Sequence, residues 1–215
     1  MEKVEIVFAE FGGKFEPNVP NIRQFFPDAE INIFRDKDVE SPFDIRSAYW
    51  GNYMNDYWKV RKLLESKADI AISFDADIKI VSDKVKAIIP LVKKFGLCLP
   101  ANPRKLVAID TLIGSHSDKV LDETEGMGYA FNMTPIALYL GNTNAVETLR
   151  KYCLLMEQNP VRGPLAMWRA VYHTGAFPCL LPPQWCVCGE DAGIGDEIIL
   201  HIGHQKVREH YATII

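Results

Sequence analysis

"LLESKADIAISFDADIKIVSD", residues 63–83, decides how the rest of the chain is read. The run from Ile70 to Phe74 has the make-up of a buried strand, yet it ends in two carboxylates, Asp75 and Asp77, one residue apart. Like charges that close repel unless a cation lies between them. A hard divalent ion answers that need: Mg²⁺ or Mn²⁺ takes oxygen ligands, typically one or two carboxylates together with the phosphates of a substrate. The plainer reading is a solvated strand end with Asp77 capping a turn. The flanks favour the cation, because an apolar strand before the pair and "IKIVSD" after it present the carboxylates on rigid backbone.

Outward from this segment, apolar β-branched runs alternate with helical patterns. "VEIVFA" (4–9) and "INIF" (31–34) read as strands, and the Gly-Gly of "EFGGKF" opens a loop suited to a ligand wall. Residues 55–67 place Trp58, Val60, Leu63 and Leu64 on one helical stripe. "SDKVKAIIPLVKKFG" (82–96) starts on a Ser/Asp cap and should kink or restart at Pro90. "LCLP", "LVAI" (106–109) and "YAFNM" are further strand candidates, with a polar, Gly-bounded excursion at 114–128 between the last two. Residues 143–158, with a Thr cap, and 163–175, with Pro in the first turn and Gly at the end, predict helices. "FPCLLPPQW" and "DEIILHIGH" supply the last strands, and "HQKVREHY" a closing helix. The expected fold is α/β: a single domain over 1–215 with a mostly parallel central sheet flanked by helices. Ligands of such sheets bind beyond the carboxyl ends of the strands, where "DAD" and "HIGH" both fall.

Composition narrows the function. The 215 residues are 48% hydrophobic and 24% charged, a globular profile large enough to need no disulfide or structural metal for its core. A net charge of -4 without any basic block argues against nucleic acid as a partner. The N-terminus has neither a signal-peptide pattern nor an anchor, and no stretch approaches the roughly 18 apolar residues of a membrane span, so a cytoplasmic protein, or a soluble piece of a larger one, is expected. The five cysteines are scattered and odd in number, which fits thiols in a reducing compartment. Cys186-Val187-Cys188 is half of a zinc pattern. No second pair follows at matching spacing, and the late histidines stand in another context, so these two are also read as plain thiols.

Four segments in order resemble the GT-A glycosyltransferases: "LLESKADIAISFDADIKIVSD" their helix, strand and Asp-x-Asp; "YAFNMTPIALYLGNTNAVETLRKY" their Phe-Asn strand, loop and helix; "LLPPQWCV" their Leu-Pro-Pro strand; and "LHIGHQKV" their late His, Gly and Lys element. The style is that of the glycogenin-like and lipooligosaccharide galactosyltransferase families, and the compact size is similar to enzymes that glycosylate chlorovirus capsids in the host cytoplasm. The resemblance implies Mn²⁺ or Mg²⁺ on Asp75 and Asp77, a UDP-sugar donor and a glycan or glycoprotein acceptor. His201 would complete the metal site, with His204 able to take its place because the element is one residue short.

The same likeness implies that Lys206 reaches the phosphates and that Gly203 lets backbone approach them. Lys59 and Ala76 would face the donor, with Arg46 and Tyr49 as lesser candidates. Ala9, Glu10 and Phe11 would border uracil and ribose, and Trp185 the acceptor. Acceptor choice would lie in 114–128 and 185–195. Retaining relatives carry Asp-Gln where this chain has Gly163, Pro164 and Leu165, which puts sugar recognition in question. Asp77 is the expected catalytic carboxylate of a retaining transfer; Glu190 and Asp191 are the alternative, as base of an inverting one. A sugar nucleotidyltransferase and a sugar-binding module remain the rival readings.

Overall fold

The computed structural model describes residues 2–43, 50–105, 129–189 and 192–215. Arg46, Tyr49, the strand expected at 106–109, the excursion at 114–128, and Glu190 and Asp191 lie outside these residues. The strands are β1 (Val4–Ala9), β2 (Glu30–Phe34), β3 (Ile70–Phe74), β4 (Ile78–Ile80), β5 (Leu97–Lys105), β6 (Tyr129–Phe131), β7 (Ile136–Tyr139), β8 (Cys179–Leu181) and β9 (Ile199–His201). The α-helices are α1 (Val19–Phe25), α2 (Trp50–Glu65), α3 (Ile88–Phe95), α4 (Thr143–Gln158), α5 (Gly163–Thr174) and α6 (Gln205–His210). Among the described residues no helix is long and apolar enough to cross a membrane.

The main sheet has the order β2-β1-β3-β7-β5-β6, with β8 also paired to β5. Its directions are mixed where a mostly parallel sheet was expected: β1 is parallel to β2 and β3, and β8 to β5, but β7 runs antiparallel to β3 and β5, and β6 to β5. Short apolar strands do not announce their direction, so this was out of reach of pattern reading. Period-two alternation divides the core between the two faces. Ile6, Phe8, Ile70, Ile72 and Phe74 pack with Ile22 of α1 and Val92 of α3, while Val7, Ala9 and Ala71 pack with Val60 of α2, Leu149 of α4 and Leu165 of α5.

Differences at helix ends have local causes. α1 was not foreseen, since seven residues are too few to display a period. It is stitched to β4 by the buried Asn21, whose amide donates to Ile80 O (3.0 Å) and accepts from Ile80 N (2.8 Å). The 82–96 pattern divides into a 3₁₀ turn, Asp83–Ala87, and α3, with Pro90 in the first turn of the latter, where its missing N–H costs nothing. α4 is capped by Asn142, whose Oδ1 accepts from Ala145 N (3.0 Å), rather than by Thr143.

Two features place the site. β2 and β3 lie on opposite sides of β1, so the chain's path reverses there and opens a crevice at the carboxyl ends of β1 and β3. Beyond that crevice β4 and β9 form an antiparallel ribbon whose register sets Ile78 opposite His201. His201 is thereby brought beside the Asp-x-Asp segment from more than a hundred residues away.

Candidate active site

A cavity of about 300 Å³ opens at the ends of β1 and β3. Its walls include Ala9, Glu10 and Phe11 after β1, Lys14 and Phe15 from the Gly-Gly loop, Asp75, Ala76 and Asp77 after β3, and His201 at the end of β9. The loop expected to be a ligand wall lines this cavity. α2 supplies the opposite side through Asn52, Asn55, Asp56 and Lys59, a polar stripe at three- and four-residue spacing. That helix begins at Trp50, five residues before the expected start. Its extra turn and a half carries part of this stripe.

His201 Nε2 lies 3.0 Å from Asp77 Oδ1 and 3.7 Å from Asp75 Oδ2. Ligand atoms of Asp75, Asp77 and His201 all fall within 4.8 Å of one another. Burial alone would depress the His201 imidazole, but the hydrogen bond to Asp77, the contact with Cys188 and the charges of Asp77 and Asp75 hold it well above the usual histidine range. For Asp77, burial pushes the carboxyl up and the His201 hydrogen bond and charge outweigh it, leaving it lowered. Asp77 and His201 thus favour one another's charged forms.

Asp75 is also held from behind. Asp75 N donates to Thr134 Oγ1 (3.0 Å), and Lys59 Nζ donates to Asp75 Oδ1 (2.7 Å) and lies 3.3 Å from Asp56 Oδ1. Lys59, expected to face the donor, is only 2% exposed and turns its ammonium to these carboxylates. Burial works against its charge, but Asp75 and Asp56 raise it further. Asp56 had no sequence signal beyond its polarity inside a helix. Its Oδ2 accepts from Gly163 N (2.9 Å) and would meet a Cβ on residue 163 at 2.6 Å, so α2 is pinned to the start of α5 only because 163 is Gly. Gly163, Pro164 and Leu165 are buried there and put no polar side chain on the cavity, as their types implied.

Arg162, which precedes them, does line the cavity and was missed. Its Nε is buried without a hydrogen-bond partner among the described residues. The Phe11 wall is fixed by Phe11 N donating to Asn55 Oδ1 (3.0 Å).

The remaining expected residues stand elsewhere. Gly203 is behind Asp77, with its N–H 3.3 Å from Asp77 O. His204 caps α6, and its ring meets that of His201 edge-on at 4.7 Å, so it backs the metal-ligand candidate rather than joining the carboxylates. Lys206 is exposed, its stem lying against Gly189. None of these three lines the cavity. Trp185 is a correction: it is 5% exposed and packs in the core with Ile6 and Phe8, because the Pro182-Pro183 turn folds it inward. A ring so placed cannot present a face to an acceptor.

No family model matches the sequence, and no curated protein does. Solved structures do match in fold. A glycosyltransferase involved in the glycosylation of the major capsid of PBCV-1 superposes with a TM-score of 0.58 at 10% identity, covering 99% of this chain and 100% of that one. The galactosyltransferase LgtC, solved with donor and acceptor sugar analogues, gives 0.56 at 12% identity over 92% of this chain and 86% of its own. Mouse xyloside xylosyltransferase 1 gives 0.55 at 10% identity over 93% and 97%. The chain has the GT-A fold that these glycosyltransferases share.

Proposed function

We propose that this chain is a metal-dependent glycosyltransferase, moving a hexose or deoxyhexose from a UDP-sugar to a hydroxyl of a glycan or glycoprotein with retention of configuration. The observation that carries the reading is the convergence of Asp75, Asp77 and His201 on the wall of a cavity at the carboxyl ends of β1 and β3, in this fold. Two carboxylates and an imidazole suit Mn²⁺, and suit Mg²⁺ less well for the nitrogen. Those three residues would hold the ion, which would supply Lewis-acid stabilisation to the charge on a departing diphosphate.

The chain's own groups do the rest. Lys59 fixes the Asp75 carboxylate, and His201 orients that of Asp77. Ala9, Glu10 and Phe11, the last with its backbone N–H held by Asn55, border the part of the cavity that uracil and ribose would occupy. Arg162 and Lys14 bring positive charge to the cavity wall for the phosphates, with Lys206 at the exposed start of α6 as a further cation. Asp56 is already tied to Lys59 and Gly163, so it is no candidate for the base that inversion requires. An acceptor on a capsid glycan is supported by the end-to-end match to the PBCV-1 enzyme.

The test is UDP binding by calorimetry with and without Mn²⁺, followed by hydrolysis across a panel of UDP- and GDP-sugars. Chelation or Asp77→Asn should weaken UDP binding by about 100-fold or more and abolish turnover of UDP donors. Metal-independent binding, or a preference for GDP donors, would sink the proposal. The anomeric configuration of the product, read by NMR, decides retention against an inverting reaction drawing on Glu190 or Asp191.

A further inference from the structure

His201 has a second nitrogen, and the fold aims it at sulfur. Val187 forms an isolated bridge to Leu200, with Val187 N donating to Ile199 O (2.9 Å) and His201 N donating to Val187 O (3.0 Å). The Val187 side chain is buried with Leu200 and Val207. Its two neighbours are therefore carried to the opposite side on fixed backbone, where Cys186 Sγ and Cys188 Sγ lie 3.9 Å apart. His201 Nδ1 stands 4.0 Å from the first and 3.7 Å from the second. The three ligand atoms form one group by the same closeness that defines the carboxylate set.

These separations are those of a coordination tetrahedron. Metal–sulfur and metal–nitrogen bonds of about 2.3 and 2.0 Å at tetrahedral angles place two sulfurs roughly 3.8 Å apart and sulfur and nitrogen roughly 3.5 Å apart. The geometry points to a second cation site, made by Cys186 Sγ, Cys188 Sγ and His201 Nδ1, for a soft divalent ion of the Zn²⁺ class. Thiolates select such an ion over the hard cations that carboxylates prefer, so the two sides of one imidazole differ in the metal they take. The fourth corner falls to water. Binding takes both sulfurs as thiolates and Nδ1 unprotonated, so whatever protons these three groups carry are released to solvent.

A neutral imidazole has one unprotonated nitrogen. With the soft ion on Nδ1, Nε2 keeps its proton and donates it to Asp77 Oδ1, 3.0 Å away; with an ion on Nε2, Nδ1 keeps the proton and faces the sulfurs. Occupation of the thiol side therefore opposes occupation of the carboxylate side. This coupling rests on the reading of Asp75, Asp77 and His201 given above; the thiol site itself does not.

The experiment titrates Co²⁺ into the reduced, metal-free protein and follows thiolate-to-cobalt charge transfer in the near ultraviolet, a signal that carboxylates do not give. One equivalent should develop the band and Zn²⁺ should displace it; the band should survive Asp77→Asn and be lost in Cys186→Ser/Cys188→Ser. Absence of the band, its persistence in the double variant or its loss in Asp77→Asn overturns the site. Should the double variant not fold, X-ray absorption on the zinc-loaded natural protein decides: sulfur scatterers at about 2.3 Å support the site, and an oxygen- and nitrogen-only shell overturns it. Neither readout involves UDP or turnover, so failure here is distinguishable from failure of the proposed activity.

Discussion

A Cβ built on residue 203 would overlap Asp77 Oδ2, with the carboxylate carbon itself only 2.8 Å away. The backbone N–H of Gly203 meanwhile approaches Asp77 O, so loop and carboxylate are packed as one unit and the missing side chain is the space in which Oδ2 lies. The late glycine was expected to admit phosphates; its visible work is to admit the carboxylate. Gly203→Ala should therefore swing Asp77 out of register with His201 while leaving the core strands untouched. Mn²⁺ affinity measured by electron paramagnetic resonance should fall by about 10- to 100-fold, the usual cost of disturbing a ligand's support. Unchanged affinity in a folded variant would show that Asp77 does not need this cradle.

At the scale of elements, α2 is the support of the site. Lys59 bridges Asp56 on its own helix to Asp75 at the end of β3, and all three groups are largely removed from solvent. A buried pair that loses one partner strands the other charge, at a cost of about 3 kcal/mol or more. Lys59→Met should lower stability by that order in metal-free protein, as read by urea unfolding. Mn²⁺ should restore part of the loss, since an ion on Asp75 replaces the missing charge; a loss indifferent to Mn²⁺ would place Lys59 in the scaffold alone.

A different clasp closes the far end. Tyr211, just after α6, accepts from Gly193 N (2.7 Å) and donates to Glu197 Oε1 (2.7 Å), which also accepts from Gly195 N (2.7 Å). Burial tends to raise the Glu197 carboxyl, but the Tyr211 hydrogen bond and the backbone donors outweigh it and leave it lowered. A group depressed in the folded state stabilises above its unfolded value, and that contribution vanishes as pH falls through the folded one. Tyr211→Phe should thus cost about 1 kcal/mol near neutrality. The gap in melting temperature between natural protein and variant should close below about pH 4, near and under the ordinary glutamate value. A gap that widens in acid would reverse the assignment.

Across the whole molecule, what could be read in the chain was what depends on local pattern. "VEIVFA" and 143–158 match β1 and α4 residue for residue because each carries its own period and its own ends. Asp75 and Asp77 stood out because a buried strand that ends in two carboxylates is a charge conflict, whereas His201 entered only through the resemblance to a family's late histidine. Arg162 and Asp56 were not, because a charged residue in a loop or helix reads the same whether it faces water or a cavity. Trp185 was misread for the converse reason: an aromatic beside two prolines fits a binding loop as well as a core. The Cys186 and Cys188 thiols escaped because their partner arrives only through the bridge of Val187 to Leu200, a contact that no spacing encodes, just as His201 reaches Asp77 only through the pairing of β4 with β9.

That same pairing makes the candidate cation site a property of the complete fold. Asp77 and His201 are separated by 124 residues, so an unfolded chain offers no comparable site, and whatever binds there must stabilise the folded state. At a concentration about 100 times its dissociation constant, a ligand confined to the folded state adds about 2.7 kcal/mol. For a chain of this length each kcal/mol is worth about 2–4 °C. Saturating Mn²⁺ should therefore raise the melting temperature by roughly 5 to 10 °C in differential scanning calorimetry, as a shift of the main transition, because the ligands join two sheets. Asp77→Asn and His201→Ala should each lose most of that shift. An equal rise in either variant would mean that the ion binds elsewhere on this acidic protein and not on the two carboxylates after β3.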